Sequence, residues 1–424
     1  MPKVTLTCHP FGKLRASSEA KPKDLANEKE ILPLRLRSGL KALFAQNDSF
    51  AVTLGTLNYR KYMMIYLLSV ISFAGLAVAL AGMLMIAERL LINYGICKLD
   101  INAGEKPLEL EGGQTLLASL YANEIFIPSA CGGKGSCGHC KITVPTGGGP
   151  VLPTETPYLT RKEIRSNIRL ACQVKIREDI YVRIPAELLD VRMFTAAVES
   201  SVELTYDIKE ICLRLDDPPE ISQRPGQYVQ VQAPSPDGPV FRAYSISSPA
   251  YEPNIVQLVV RLVPGGIGST YLHNVSPGDT VRFTGPYGDF LLNQDPSVEI
   301  VCVGGGCGMA PMRNIIYTLY ERWPDRVCWL FFGCRTTRDV FYLEQLEELA
   351  KKYPNFHVVY ALSDQLGEDE EWNGETGFIH LSVDKYLEPG VRRQAFLCGP
   401  PLMIEAVTRV LQEKGANDIF YDEF

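Results

Sequence analysis

Between Tyr62 and Ala87 the chain runs 26 residues without a charged side chain, YMMIYLLSVISFAGLAVALAGMLMIA. A helix crosses the hydrocarbon core of a bilayer with roughly 20 such residues. A core helix of a soluble domain normally keeps a polar face, and this run has none. A secretory leader ends at a small-residue cleavage site, which is missing ahead of the following segment. A transmembrane helix over 63–92 is therefore expected. The 424 residues are too many for one core, so several domains must share the remainder.

Charge is uneven along the chain. Residues 1–61 sum to +6, and the rest of the chain sums to −13. So acidic a body argues against nucleic acid as a partner.

Twelve cysteines are present, and four stand out by spacing. Cys131, Cys137, Cys140 and Cys172 form the pattern C-x5-C-x2-C-x31-C. The other eight are scattered, mostly among apolar residues, as expected of a reducing compartment rather than a disulfide scaffold. Gly132, Gly133, Gly135 and Gly138 interleave the first three cysteines. Glycines let a loop wrap closely and aim N–H groups at sulfur. This pattern suits four thiolates on a [2Fe–2S] cluster. Structural zinc is the rival, but it usually takes paired C-x2-C knuckles, and only one is present. His139 reads as a solvent-facing loop residue, since Cys172 supplies the fourth ligand. The cluster domain is expected over 95–188.

From 191 to 293, glycine and proline punctuate short β-rich runs: Tyr228–Gln232, Ala243–Ser247, Val256–Val263 and Thr280–Thr284. This punctuation predicts an antiparallel barrel. Arg242 and Tyr244, two apart on a strand, share a face. An arginine fork suits a pyrophosphate, and a tyrosine ring can stack on an isoalloxazine. Ser245 is placed to bond the reactive flavin nitrogen. Gly266, Gly268, Ser269 and Thr270 open a short helix, a usual anion site. Tyr244 also reads as a packed barrel residue, and each motif alone is weak.

From 297 to 424 strands and helices alternate, which predicts a doubly wound α/β unit. Gly304, Gly305, Gly306, Gly308 and Met309 follow the first strand and open a helix, where a nicotinamide dinucleotide binds. Cys398, Gly399 and Pro400 end another strand at the same sheet edge, so Cys398 is expected beside the nicotinamide or else as a buried apolar residue. The terminal Phe424 is expected over the flavin, or packed at a strand end. Arg335 and Arg338 follow the second strand, where a 2′-phosphate can sit, so NADPH stays open beside NADH.

The basic arm would remain cytoplasmic by the positive-inside rule, which would place the NADH-using body outside. The conflict disappears if the natural chain starts at Met63 or Met64. Residues 1–62 are then a gene-model artefact or a dispensable extension, and the body lies on the cytoplasmic side of the membrane.

The order of helix, ferredoxin domain, RxYS barrel and GGGxGxAP/CGPP domain resembles the family of F subunits of Na⁺-translocating NADH:quinone reductases. Leu152-Pro153-Thr154-Glu155, Gly304–Met312, Thr376–His380 and Asp422-Glu423-Phe424 also resemble that family, from Met63 onward. The short link Pro234–Pro239, where that subunit carries an insertion, and residues 1–62 depart from it. The resemblance implies FAD on Arg242, Tyr244 and Ser245 and NADH at the Gly304 and Cys398 loops. It also implies membrane partner subunits, ubiquinone reduction and sodium export. Together these readings predict a multidomain protein: one transmembrane helix, a β-grasp-like ferredoxin domain, an antiparallel flavin barrel and an α/β nicotinamide domain. The alternatives are a reductase feeding an oxygenase and a non-catalytic electron carrier.

Overall fold

The computed structural model describes residues 63–87 and 94–424, apart from 105, 106, 237, 289, 291, 368–370 and 424. The extension 1–62 and Phe424 lie outside the described residues. The chain divides into two units, Met1–Arg89 and Leu90–Phe424.

The described part of the first unit is one helix, α1 (Met63–Ala87), long and apolar enough to cross a membrane. Its large side chains, such as Tyr66, Phe73 and Met83, are exposed. With no polar face, this exposed surface needs an apolar solvent.

The second unit holds three sheets. The first combines β1 (Ile96–Ile101), β2 (Leu108–Glu111), β3 (Lys141–Thr146), β4 (Ile168–Leu170) and β5 (Ile180–Arg183) in the order β2-β1-β5-β3-β4. β1 and β5 run parallel, and the other pairs are antiparallel. Helix α2 (Leu116–Ala122), capped by the Thr115 side chain, buries Leu116, Leu117 and Leu120 against this sheet. Short helices α3 (Arg161–Arg165) and α4 (Ala186–Leu189) complete the layer.

The second sheet is antiparallel, with the order β10-β7-β6-β11-β8-β9. Its strands are β6 (Arg192–Glu203), β7 (Ile208–Asp217), β8 (Tyr228–Ala233), β9 (Val240–Ser245), β10 (Ile255–Arg261) and β11 (Thr280–Tyr287). An Ile246–Leu258 bridge links its two ends, which curls the sheet into a barrel. Inward residues alternate along β7, where Ile211, Leu213 and Leu215 enter the barrel core. Helix α5 (Ile267–Asn274) closes one end.

The third sheet is parallel throughout, in the order β15-β14-β13-β12-β16-β17. Its strands are β12 (Glu299–Gly305), β13 (Cys328–Cys334), β14 (Phe356–Leu362), β15 (Glu375–Thr376), β16 (Arg393–Gly399) and β17 (Asp418–Glu423). β12 shows why its run is continuously apolar. Ile300 and Cys302 pack on one face with helices α6 (Met309–Arg322) and α7 (Leu343–Lys352). Val301 and Val303 pack on the other face with α8 (Ile379–Tyr386) and α9 (Pro401–Glu413). Both faces are covered, so no polar residue is tolerated there.

Candidate functional site

The four cysteines come together, as two pairs. Cys131 and Cys137 stand 3.4 Å apart at their sulfurs, and Cys140 shares a hydrogen bond with Cys172. Gly132, Gly133, Gly135 and Gly138 all have positive φ, between 66° and 84°, so the loop turns in a conformation that other residues resist. Its N–H groups point inward. Cys131 is pulled toward the thiolate by the Cys137 hydrogen bond, and by N–H groups of Ser136 and Gly135 that oppose burial. Cys172 is pulled the same way by Cys140, and also by Gln173. Two thiol pairs wrapped in N–H donors fit a two-iron cluster better than zinc.

In the barrel, β8 and β9 pair Val231 with Arg242 and Val229 with Tyr244. The start of α5 lies against this strand. A Cβ on Gly268 would sit 2.6 Å from the Tyr244 hydroxyl and 2.8 Å from Arg242 Cγ, so only glycine permits the approach. Gly266, Gly268 and Ser269 face a cleft of about 1030 Å³ together with Arg242, Tyr244 and Ser245. That volume is at the upper end of small-molecule sites, roughly 300–1,000 Å³, and suits a dinucleotide. Burial pushes the Tyr244 phenol up, so it stays neutral. A guanidinium, a helix start and a neutral aromatic ring in one cleft fit FAD. Thr270, in contrast, is exposed and outside the cleft lining.

Cys398 and Pro400 line the same cleft. Cys398 is 2% exposed, and its thiol is pushed well up by burial, with Asp422 adding to the effect. The glycines that end β12 and open the following turn take a role that sequence alone could not separate from ligand binding. A Cβ on Gly308 would strike the Cys398 carbonyl, and one on Gly304 would crowd Gly308 and Met309 at 3.3 Å. A Cβ on Gly305 would lie 3.0 Å from the Met403 sulfur, and one on Gly306 (φ +55°) would lie 2.6 Å from Arg261 Nη2. These glycines bring the β12–α6 turn close to the end of β16. Cys307, Ala310 and Pro311 are what that turn presents to the cleft, while Met309 is fully buried. Gly399, too, is outside the lining.

Residues not anticipated also line the cleft, including Gly226, Tyr228, Arg261, Phe290, Tyr421 and Asp422. Arg261 ends β10, where a charged residue closing an apolar strand was the available signal; it pairs with Asp207 at 3.1 Å. Arg335 pairs with Asp364 at 3.7 Å, and Arg338 lies over the Tyr206 ring.

The cluster loop reaches the flavin strand directly. A Cβ on Gly132 would lie 2.5 Å from Arg242 Nη1, and the Ser129 N–H donates to buried Gln230 at 3.0 Å. Tyr121 meets Phe241 edge-on at 5.0 Å. Ser136, Cys137 and His139 therefore line the cleft that also holds Tyr244, so exposed His139 faces this cleft. On the other side α6 locks onto the barrel. Asn314, fully buried, donates to the Ser248 carbonyl and accepts from the Gly226 N–H at 2.7 Å.

Comparison with known proteins agrees with this anatomy. The family described as 2Fe-2S iron-sulfur cluster binding domain matches residues 99–177. Oxidoreductase FAD-binding domain matches 195–291, and oxidoreductase NAD-binding domain matches 302–409. The protein thus carries [2Fe–2S], FAD and NAD domains. Among solved structures, the Amycolatopsis reductase GcoB is 30% identical, covering 77% of this chain and 98% of that one, with a TM-score of 0.63. The ferredoxin reductase in carbazole 1,9a-dioxygenase is 28% identical, covering 78% and 98%, with a TM-score of 0.59. The F subunit of Na(+)-translocating NADH-quinone reductase from Neisseria meningitidis is 35% identical over 403 residues, 84% of this chain and 99% of its own length. Its counterparts in Klebsiella pneumoniae and Pseudomonas aeruginosa are 35% and 34% identical, over 99% and 97% of their lengths. With cluster, flavin and nicotinamide domains in the order of these relatives, and nearly their whole length matched, the chain belongs to the family of F subunits of Na(+)-translocating NADH-quinone reductases.

Proposed function

We propose that this protein is the NADH-oxidising subunit of a membrane quinone reductase. The observation that carries the reading is the single cleft lined by Tyr244, by Cys398 and by Cys137 of the cluster loop. When bound, FAD takes a hydride from NADH, and the [2Fe–2S] cluster passes electrons on one at a time. Cys131, Cys137, Cys140 and Cys172 hold the cluster. Arg242 and the start of α5, with Gly266, Gly268 and Ser269, hold the flavin pyrophosphate, and Tyr244 and Ser245 orient the ring. Cys307, Pro400 and Cys398 bound the nicotinamide side, where burial keeps the Cys398 thiol itself neutral. The folding units are 95–188, 191–293 and 297–424.

The family name is that of a subunit, so the protein works within a larger assembly, and α1 associates it with a membrane. Electrons leave to membrane partner subunits, α1 sits in lipid, and the body faces the cytoplasm, where NADH is. The dioxygenase reductase shares the three-domain body, which supports delivery to an oxygenase as the second reading. The apolar helix favours the first. The test is anaerobic addition of NADH to the purified full-length protein. Flavin absorbance should fall, and the reduced-cluster paramagnetic signal should follow. Flavin that stays oxidised would refute the assignment. Co-purification with membrane subunits rather than with an oxygenase separates the two readings.

A further inference from the structure

The residue after the fourth cysteine is tied to three segments. Gln173 Nε2 donates to Cys172 Sγ and to the Cys172 carbonyl, each at 3.4 Å, and its Oε1 accepts from Thr154 Oγ1 at 2.8 Å. Its amide also abuts the cluster loop, because a Cβ on Gly135 (φ +75°) would lie 2.5 Å from Nε2 and 2.9 Å from Cδ. Thr154 is anchored by its neighbour. Glu155 is fully buried, bonds Arg169 through both oxygens, and accepts from the N–H groups of Leu152 and Leu170. One continuous line of contacts runs from this buried pair through Thr154 and the Gln173 amide to the sulfur. The Thr154 hydroxyl donates to the oxygen end of the amide. The nitrogen end is thereby turned to the sulfur, where an N–H is attractive and a carbonyl would be repulsive.

We propose that Gln173 is a positioning residue that acts through Cys172 to raise the reduction potential of the group the four cysteines hold. This rests on the reading of those thiols as [2Fe–2S] ligands. One-electron reduction, with the electron supplied by reduced flavin, places added negative charge partly on the ligand sulfurs. An N–H···S bond strengthens with that charge and favours the reduced form. Thr154 keeps the donor pointed correctly and so contributes less, by the same route.

The experiment is a redox titration of the full-length protein, read by the paramagnetic signal of the reduced cluster, alongside iron and sulfide content. Gln173→Leu should lower the potential at unchanged iron and sulfide. Gln173→Glu, of the same size, replaces the donor with a carboxylate and should lower it further. Thr154→Val should produce a smaller shift in the same direction. An unchanged potential in Gln173→Leu or in Gln173→Glu overturns the proposal. If Gln173→Glu holds no iron where the wild type does, that also overturns it, in favour of an assembly role. A wild-type protein with no iron and sulfide sinks the cluster reading itself, so the two failures are told apart in the first sample.

Discussion

Replacing Arg169 with methionine should destabilise the ferredoxin domain in a way that depends on pH with a defined sign. Arg169 is 4% exposed and makes five side-chain hydrogen bonds. Two go to Glu155, at 2.9 and 2.6 Å, and three to the carbonyls of Gly148, Gly149 and Pro150. Arg169→Met leaves a carboxylate of zero exposure without its partner. Breaking one side of a buried pair costs about 3–5 kcal/mol, a large part of the roughly 5–15 kcal/mol that holds a domain. Burial pushes Glu155 up, but the Arg169 bonds and the N–H groups of Leu152 and Leu170 outweigh it and leave the carboxyl below its ordinary 4.5. In the wild type this depressed carboxyl contributes stability above the unfolded value and loses it as pH falls through the folded one. Without the guanidinium, burial raises the carboxyl, and the variant loses stability as pH rises through that higher value. The gap between the two proteins should therefore widen from acid toward neutral pH. Urea unfolding, followed by the visible absorbance of the cluster, measures it. The double variant Glu155→Leu/Arg169→Met should recover part of the loss, since three carbonyls and two N–H groups still lack partners. A single variant within about 1 kcal/mol of wild type at neutral pH, or a gap that does not narrow in acid, would refute the reasoning.

Two further outcomes test the site and the anchor. Arg242→Ala should weaken flavin binding by about 1.5–3 kcal/mol, the worth of a charged hydrogen bond, seen as fluorescent flavin released on dilution, while the cluster absorbance remains. Deleting residues 1–87 should turn a detergent-requiring protein into one that stays in the supernatant after high-speed centrifugation and still bleaches its flavin with NADH.

Much of this was open to reading along the chain. The uncharged run is α1. Arg242 and Tyr244 do share a strand and a cleft. The long strands β6 and β7, at 192–203 and 208–217, lie in a stretch where no strand is read from the sequence, although Ile211, Leu213 and Leu215 alternate inward. The Gly304–Gly308 run was ambiguous for a physical reason. A missing Cβ serves a phosphate and a neighbouring backbone alike, and here Gly304 and Gly308 admit the α6 turn and the Cys398 strand end.

What the sequence by itself determined is local chemistry: four thiols in a glycine loop, a guanidinium two residues from a phenol, and 26 residues that water does not favour. Tertiary structure alone decided which of these meet. Ser129 bonds Gln230 across 101 positions, Gly132 lies on Arg242, and the Gln173 amide turns its nitrogen to Cys172 because Thr154 holds the other end. Such contacts arise when separately folded cores are packed against one another, and nothing in a short stretch of residues encodes the partner that packing will deliver.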